Sequence, residues 1–195
     1  TLQELDIAVT PSAIEGLPSC PHHDITTYYE QLWHRLDEPC RQILHLLAAC
    51  QFAWPWNGII ECLDPSGYRV AETNFALRQT NHLLVRTPLG LRPFHNSLLV
   101  FVGNLPDHVV YSSESKRKAL VWLQSKAPSY WRWAQEWLLE ADLEDYGPLT
   151  SGPNREWVTD ALSMGYPRAE AVAQLERSAW SALEGKDLPR CIEVG

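Results

Sequence analysis

A mainly α-helical chain with one small β-hairpin is what this sequence predicts, and three observations carry that reading. Apolar residues recur at i, i+3, i+4 and i+7 along much of its length, the spacing of buried helix faces. That period is interrupted at Leu83-Leu84-Val85, a continuous apolar run closed by Thr87-Pro88-Leu89-Gly90 and followed by Leu91 to Phe94, which reads as two short strands around a turn. Beyond it, Pro and Gly punctuation separates further helical segments.

The elements follow in order. Residues 1 to 25, rich in Pro, Gly and Ser, read as a lead-in or as the tail of a preceding domain. From about Thr26, Tyr28, Tyr29, Leu32, Trp33 and Leu36 make one helical face. Asp37 is placed to cap a second helix, with Pro39 tolerated in its first turn and Cys40, Ile43, Leu44 and Leu47 as its buried stripe. A third helix runs from Trp56 to Leu63, burying Ile59, Ile60 and Leu63, and Asp64-Pro65-Ser66-Gly67 ends it. Val70 to Arg78 makes a fourth; the hairpin follows, and then an apolar helix from His95 to Val102, broken by Gly103-Asn104-Leu105-Pro106. Three or more helices followed by a small hairpin is the element order of a winged-helix domain, here residues 26 to 103 with the hairpin as the wing.

Residues 104 to 195 read as an α-helical arm, an array of helical hairpins over about Ser113 to Lys126, Ser129 to Leu143, Asn154 to Met164 and Pro167 to Glu184. The breaks fall at Pro128, Gly147-Pro148, Gly152-Pro153 and Gly165. Ser129 and Asn154 are expected as N-caps, Gly165 and Gly185 as C-terminal stops. Tyr130, Trp133, Ala134, Trp137, Leu138 and Ala141 form one wide stripe, and Trp131 falls off it, towards a neighbouring helix or a partner.

Length and composition narrow the function classes. The 195 residues suffice for two compact units, and no run of about 18 apolar residues is present to cross a bilayer, so a soluble chain is expected. Five cysteines, Cys20, Cys40, Cys50, Cys62 and Cys191, lack framework spacing and suit a reducing, cytoplasmic compartment. A formal net charge of -8 works against duplex nucleic acid as partner. The start at Thr1 and the stop at Gly195, a few residues into what reads as another helix, suggest a piece of a longer protein.

The segment Leu91-Arg92-Pro93-Phe94-His95-Asn96-Ser97-Leu98-Leu99-Val100-Phe101 resembles the strand-to-helix junction of the winged-helix domain in STAND signalling ATPases, the NACHT and related oligomerising switches. Tyr28-Tyr29-Glu30-Gln31-Leu32-Trp33, the helix Arg41 to Ala48 and Leu83-Leu84-Val85 fall in the order this resemblance predicts, covering about residues 25 to 103. More loosely, Tyr130-Trp131-Arg132-Trp133, Gly152 to Trp157 and the tail Ala179 to Ile192 resemble the helical region that follows in bacterial members and leads into tetratricopeptide-like repeats. No G-x-x-x-x-G-K-S/T occurs, so the resemblance implies an ATPase domain upstream of Thr1.

The resemblance further implies that His95 contacts the terminal diphosphate of ADP in the resting state, as a latch released when ATP replaces it. It implies ATP/ADP with Mg as cofactor of the parent protein only, no catalysis by this chain, and Arg78, Arg86 and Arg92 as interdomain contacts. Its partners would be the upstream ATPase domain, neighbouring protomers and downstream sensor repeats, with defence signalling as the setting and no membrane.

Other constellations have plainer readings. Cys20-x-His22-His23 with Asp24 is half of a zinc site, and His34, Cys40 and His45 would each have to leave a packed helix to complete it, so no metal is expected. Glu136 and Glu140, with Asp142, Glu144 and Asp145, read as the charged end of an exposed helix rather than an acid-base pair. Ser97 beside His95 lacks a nucleophile elbow or a third partner. Two competing functions remain. Arg69, Arg78, Arg86, Arg92 and His82 give the fourth helix and wing a basic bias suited to DNA, and Trp122, Trp131, Trp133, Trp137, Trp157 and Trp180 suit a protein-binding adaptor.

Overall fold

The computed structural model describes residues 25–143 and 154–184, the last four of these as backbone. The lead-in, the candidate ligands Cys20, His22, His23 and Asp24, the breaks Gly147-Pro148 and Gly152-Pro153, Glu144, Asp145, Gly185 and Cys191 lie outside the described residues. The described residues are mainly helical with one small two-stranded antiparallel sheet, and the chain divides into two compact units at Ser112/Ser113.

In the first unit the helices are α1 (Ile25–Arg35), α2 (Glu38–Ala49), α3 (Trp56–Leu63) and α4 (Val70–Gln79), continued by a 3-10 turn (Thr80–Leu83). Strands β1 (Leu84–Thr87) and β2 (Gly90–Pro93) and helix α5 (Asn96–Gly103) follow. Helix α2 is the centre. Its stripe Cys40, Ile43, Leu44 and Leu47 is at most 1% exposed, and it packs against α3, α4 and α5. Asp37 caps it as predicted, its Oδ1 accepting the Cys40 amide at 3.0 Å, with Pro39 in the first turn, where its missing N–H costs nothing.

The hairpin pairs Leu84 with Pro93, Val85 with Arg92, Arg86 with Leu91 and Thr87 with Gly90. Leu83, expected in the first strand, ends the 3-10 turn instead. Thr80 Oγ1 donates back to the Ala76 and Leu77 carbonyls at 3.1 and 3.2 Å, prolonging the coil past Gln79, and the Leu83 carbonyl accepts the Phe94 amide at 2.8 Å. Trp54 extends the sheet by one bridge: its amide donates to Leu91 O at 2.8 Å and its carbonyl accepts from Leu91 N at 2.7 Å. The same approach explains Gly90, whose φ is 125° and where a Cβ would overlap the Trp54 carbonyl.

Helix α6 (His108–Ser125) carries the chain from the first unit into the second. It starts earlier than the Ser113 expected, because the Val110 and Tyr111 amides find the Asp107 carbonyl at 3.1 and 3.3 Å. The first unit thus extends past the Gly103-Asn104-Leu105-Pro106 break, since His108 and Tyr111 stack on His45 of α2.

The second unit continues α6 with α7 (Ser129–Asp142), α8 (Arg155–Ser163) and α9 (Arg168–Glu184). Ser129 is not the N-cap of α7. Pro128 occupies that position with an extended backbone, and Ser129 Oγ accepts the Tyr166 hydroxyl at 2.8 Å. Asn154 does cap α8, through Oδ1 to the Trp157 amide at 2.9 Å. Gly165 stops it at φ 76°, with the Tyr166 amide bonded to Ala161 O at 2.9 Å and the Gly165 amide to Leu162 O at 3.1 Å. Those two bonds are a Schellman closure, which needs a left-handed residue. Arg132 ties α7 to the end of α6, donating through Nε to Leu123 O at 3.0 Å and through Nη2 to Gln124 O at 2.6 Å. Ala134 and Trp137 of the predicted stripe are buried. No helix among the described residues is long and apolar enough to cross a membrane.

Candidate functional site: the strand-to-helix junction at His95

His95 is not within the helix as the periodicity suggested; it is the N-cap of α5, with extended backbone at φ -133° and ψ 134°. The two cap-facing bonds come from Ser97, whose amide donates to His95 Nδ1 at 3.1 Å and whose Oγ lies 2.6 Å from the same nitrogen. An acceptor at Nδ1 fixes the tautomer: the ring proton sits on Nε2. Ser97 Oγ in turn lies 2.7 Å from the Tyr29 hydroxyl of α1, so Tyr29 donates to Ser97 and Ser97 to His95.

The chain Tyr29–Ser97–His95 therefore ties the junction to α1, and Tyr29, itself 7% exposed, is held by ring contacts with Phe101 at 5.6 Å and Tyr28 at 5.8 Å. His95 is exposed, and its Nε2–H has no partner among the described residues. Chemically this is a preoriented single hydrogen-bond donor at a helix N-terminus, suited to an anionic oxygen. Ser97, with its hydroxyl engaged on both sides, is part of the support for His95.

The candidate arginines do not gather into one patch on the wing. Residues opposite each other on paired strands share a face and neighbours along a strand alternate, so Arg86, opposite Leu91, and Arg92, opposite Val85, emerge on opposite faces of the hairpin. Arg86 lies over the Trp56 ring, 5.7 Å from its centroid, and the indole Nε1 donates to Asn74 Oδ1 at 3.1 Å. Arg78 is exposed in the last turn of α4, and Arg69 is spent on a bidentate pair with Glu72 at 2.7 and 2.6 Å.

In the second unit Trp131 is half-buried and packs edge-on against Tyr130, ring centroids 5.5 Å apart. Trp133 stacks on Trp157 at 4.3 Å, and Trp122 and Trp137 are buried, whereas Trp180 is 67% exposed. Glu140 accepts from Gln124 at 3.3 Å and Asp142 pairs with Lys116 at 3.0 Å, the behaviour of a solvated charged face. No group of three His, Cys, Asp or Glu suited to a metal occurs among the described residues.

Sequence reasoning missed a second constellation. His45, 1% exposed on α2, places Nδ1 3.0 Å from His108 Nδ1, with Tyr111 stacked on its ring at 4.3 Å and Trp33 edge-on at 5.2 Å. The only signal was His45 falling between Leu44 and Leu46 inside a buried stripe. Comparison of the chain with family models, with curated proteins and with solved structures finds no match to any of them.

Proposed function

We propose that this chain is a regulatory segment of a STAND signalling ATPase: a winged-helix unit and a helical arm that couple the nucleotide state of an upstream ATPase domain to oligomerisation and a downstream sensor. The order of α1 to α4, hairpin and α5, with Trp54 bridging to Leu91 as a rudimentary third strand, supports the winged-helix part of this reading. The observation that carries the function is His95, an exposed donor whose tautomer and orientation are set by Ser97 and Tyr29.

In the resting protein the Nε2–H of His95 donates to a terminal phosphate oxygen of ADP. A hydrogen bond to a charged acceptor contributes about 1.5–3 kcal/mol, which biases a two-state equilibrium roughly ten- to hundredfold. Exchange for ATP removes that bond and lets the unit rotate as a rigid body, the ligand acting through its different contacts in the two states. Arg78, Arg86 and Arg92 are the proposed interdomain contacts and Trp131 the proposed partner-facing aromatic. The opposite-face placement of Arg86 and Arg92 weighs against a single DNA-reading surface on the wing.

Calorimetry with ADP tests this, using the chain alone and a chain extended upstream through the ATPase domain, each with His95 and with His95→Ala. The chain alone is expected to bind no nucleotide; the extended protein binds, and His95→Ala raises Kd about ten- to hundredfold. Equal affinity with and without the imidazole overturns the latch, and failure of the extended protein to bind overturns the family reading.

A further inference from the structure

The histidine pair between α2 and α6 plays no part in that latch, and its chemistry points elsewhere. Two Nδ1 atoms 3.0 Å apart share one proton, one ring donating and the other accepting. The rings are 1% and 9% exposed and lie 20° from parallel. Every element around His45 contributes to its surroundings: Trp33 of α1 edge-on, Glu38 and Arg41 of α2, Asp107 with Oδ2 3.9 Å from Nε2, and His108 and Tyr111 of α6. Tyr111 is held in turn by its hydroxyl, which donates to Glu38 Oε1 at 3.0 Å.

A proton added to whichever Nδ1 accepts sets two N–H groups against each other, so the bond is lost. A proton added to the donating ring instead places a charge in a site closed to water. We infer that the His45–His108 pair is an acid-sensitive clasp that holds the first turn of α6 on α2, releasing that turn when the rings take up protons.

The direction follows from linkage. Burial, more than any neighbour, lowers the His45 pKa from an ordinary 6.5 to about 4; Asp107 and Glu38 oppose the shift, and His108 and Arg41 add to it. Released rings bind protons that docked His45 refuses, so docking is complete above about pH 6.5 and weakens as pH falls towards 4. With His45 alone titrating, the docking equilibrium shifts about seventyfold between pH 7.5 and 4.5.

Amide hydrogen exchange of the 195-residue chain at pH 7.5 and 4.5, corrected for intrinsic rates, reads this directly. Residues 109–115 are expected to lose protection by at least tenfold at the lower pH while residues 70–79 keep theirs. His45→Gln, which keeps both a donor and an acceptor towards His108 Nδ1 and removes the buried ring that titrates, cuts that loss to under about threefold, and His34→Gln, an exposed site, leaves it unchanged. Unchanged protection at 109–115, equal loss at 70–79, or a His45→Gln response as large as the parent's each overturns the clasp.

Discussion

The two units satisfy their buried polar atoms differently. In the first, Trp54 Nε1 donates to Cys50 O at 3.1 Å, and the Thr80 hydroxyl finds two backbone carbonyls. In the second, Trp133 Nε1, Trp137 Nε1 and Gln174 Oε1 are buried with no partner among the described residues. Ring packing decides the second core: Trp133 stacks 18° from parallel on Trp157, and Tyr130 and Tyr166 close around it at 5.9 and 4.9 Å. Large aromatic faces bury enough area to tolerate an orphan donor, whereas the aliphatic stripe of α2 relies on close fit. The first unit should therefore be brittle towards small changes of shape, and the second open to improvement.

The largest effect is expected at Gly90. Gly90→Ala drives a Cβ into the Trp54 carbonyl and should cost about 3 kcal/mol or more, seen in urea titration as early loss of amide protection in residues 38–49. Next, Gln174→Met keeps the side-chain length at a fully buried site and removes an unpaired acceptor, so protection in residues 168–180 should rise by about 1 kcal/mol. A loss there instead would mean that the bond from Gln174 Nε2 to Glu170 Oε1, 2.8 Å long and also removed by the change, outweighs the unpaired acceptor. The smallest effects set the two caps side by side: Asp37→Ala and Asn154→Ala should each cost about 1 kcal/mol, each confined to its own unit. Cross-talk between them would show that the units unfold together.

The helices were legible in the sequence wherever apolar spacing and end chemistry agreed, as at Asp37, Trp56–Leu63, Asn154 and Gly165. Legibility failed where burial did not follow residue type. The start of α6 carries two valines, Val109 and Val110, each 73% exposed, while His108 and Tyr111 are the residues that face inward. A helix whose polar residues are inside and whose apolar residues are outside has no apolar period to read. At the junction, the sequence marked His95 through a resemblance, but its role as N-cap depends on the Ser97 amide and its tether on Tyr29, distant in the chain.

Local chemistry alone, then, determined the helical class, the hairpin between Thr87 and Gly90, and the caps, because each rests on residues within one turn of one another. Only the tertiary structure decided why Gly90 must be glycine, what tethers the His95 junction to α1 and that His45 meets His108. Those depend on groups brought together from distant parts of the chain: the Trp54 carbonyl against the wing, the Tyr29 hydroxyl against Ser97, and a proton shared between two helices.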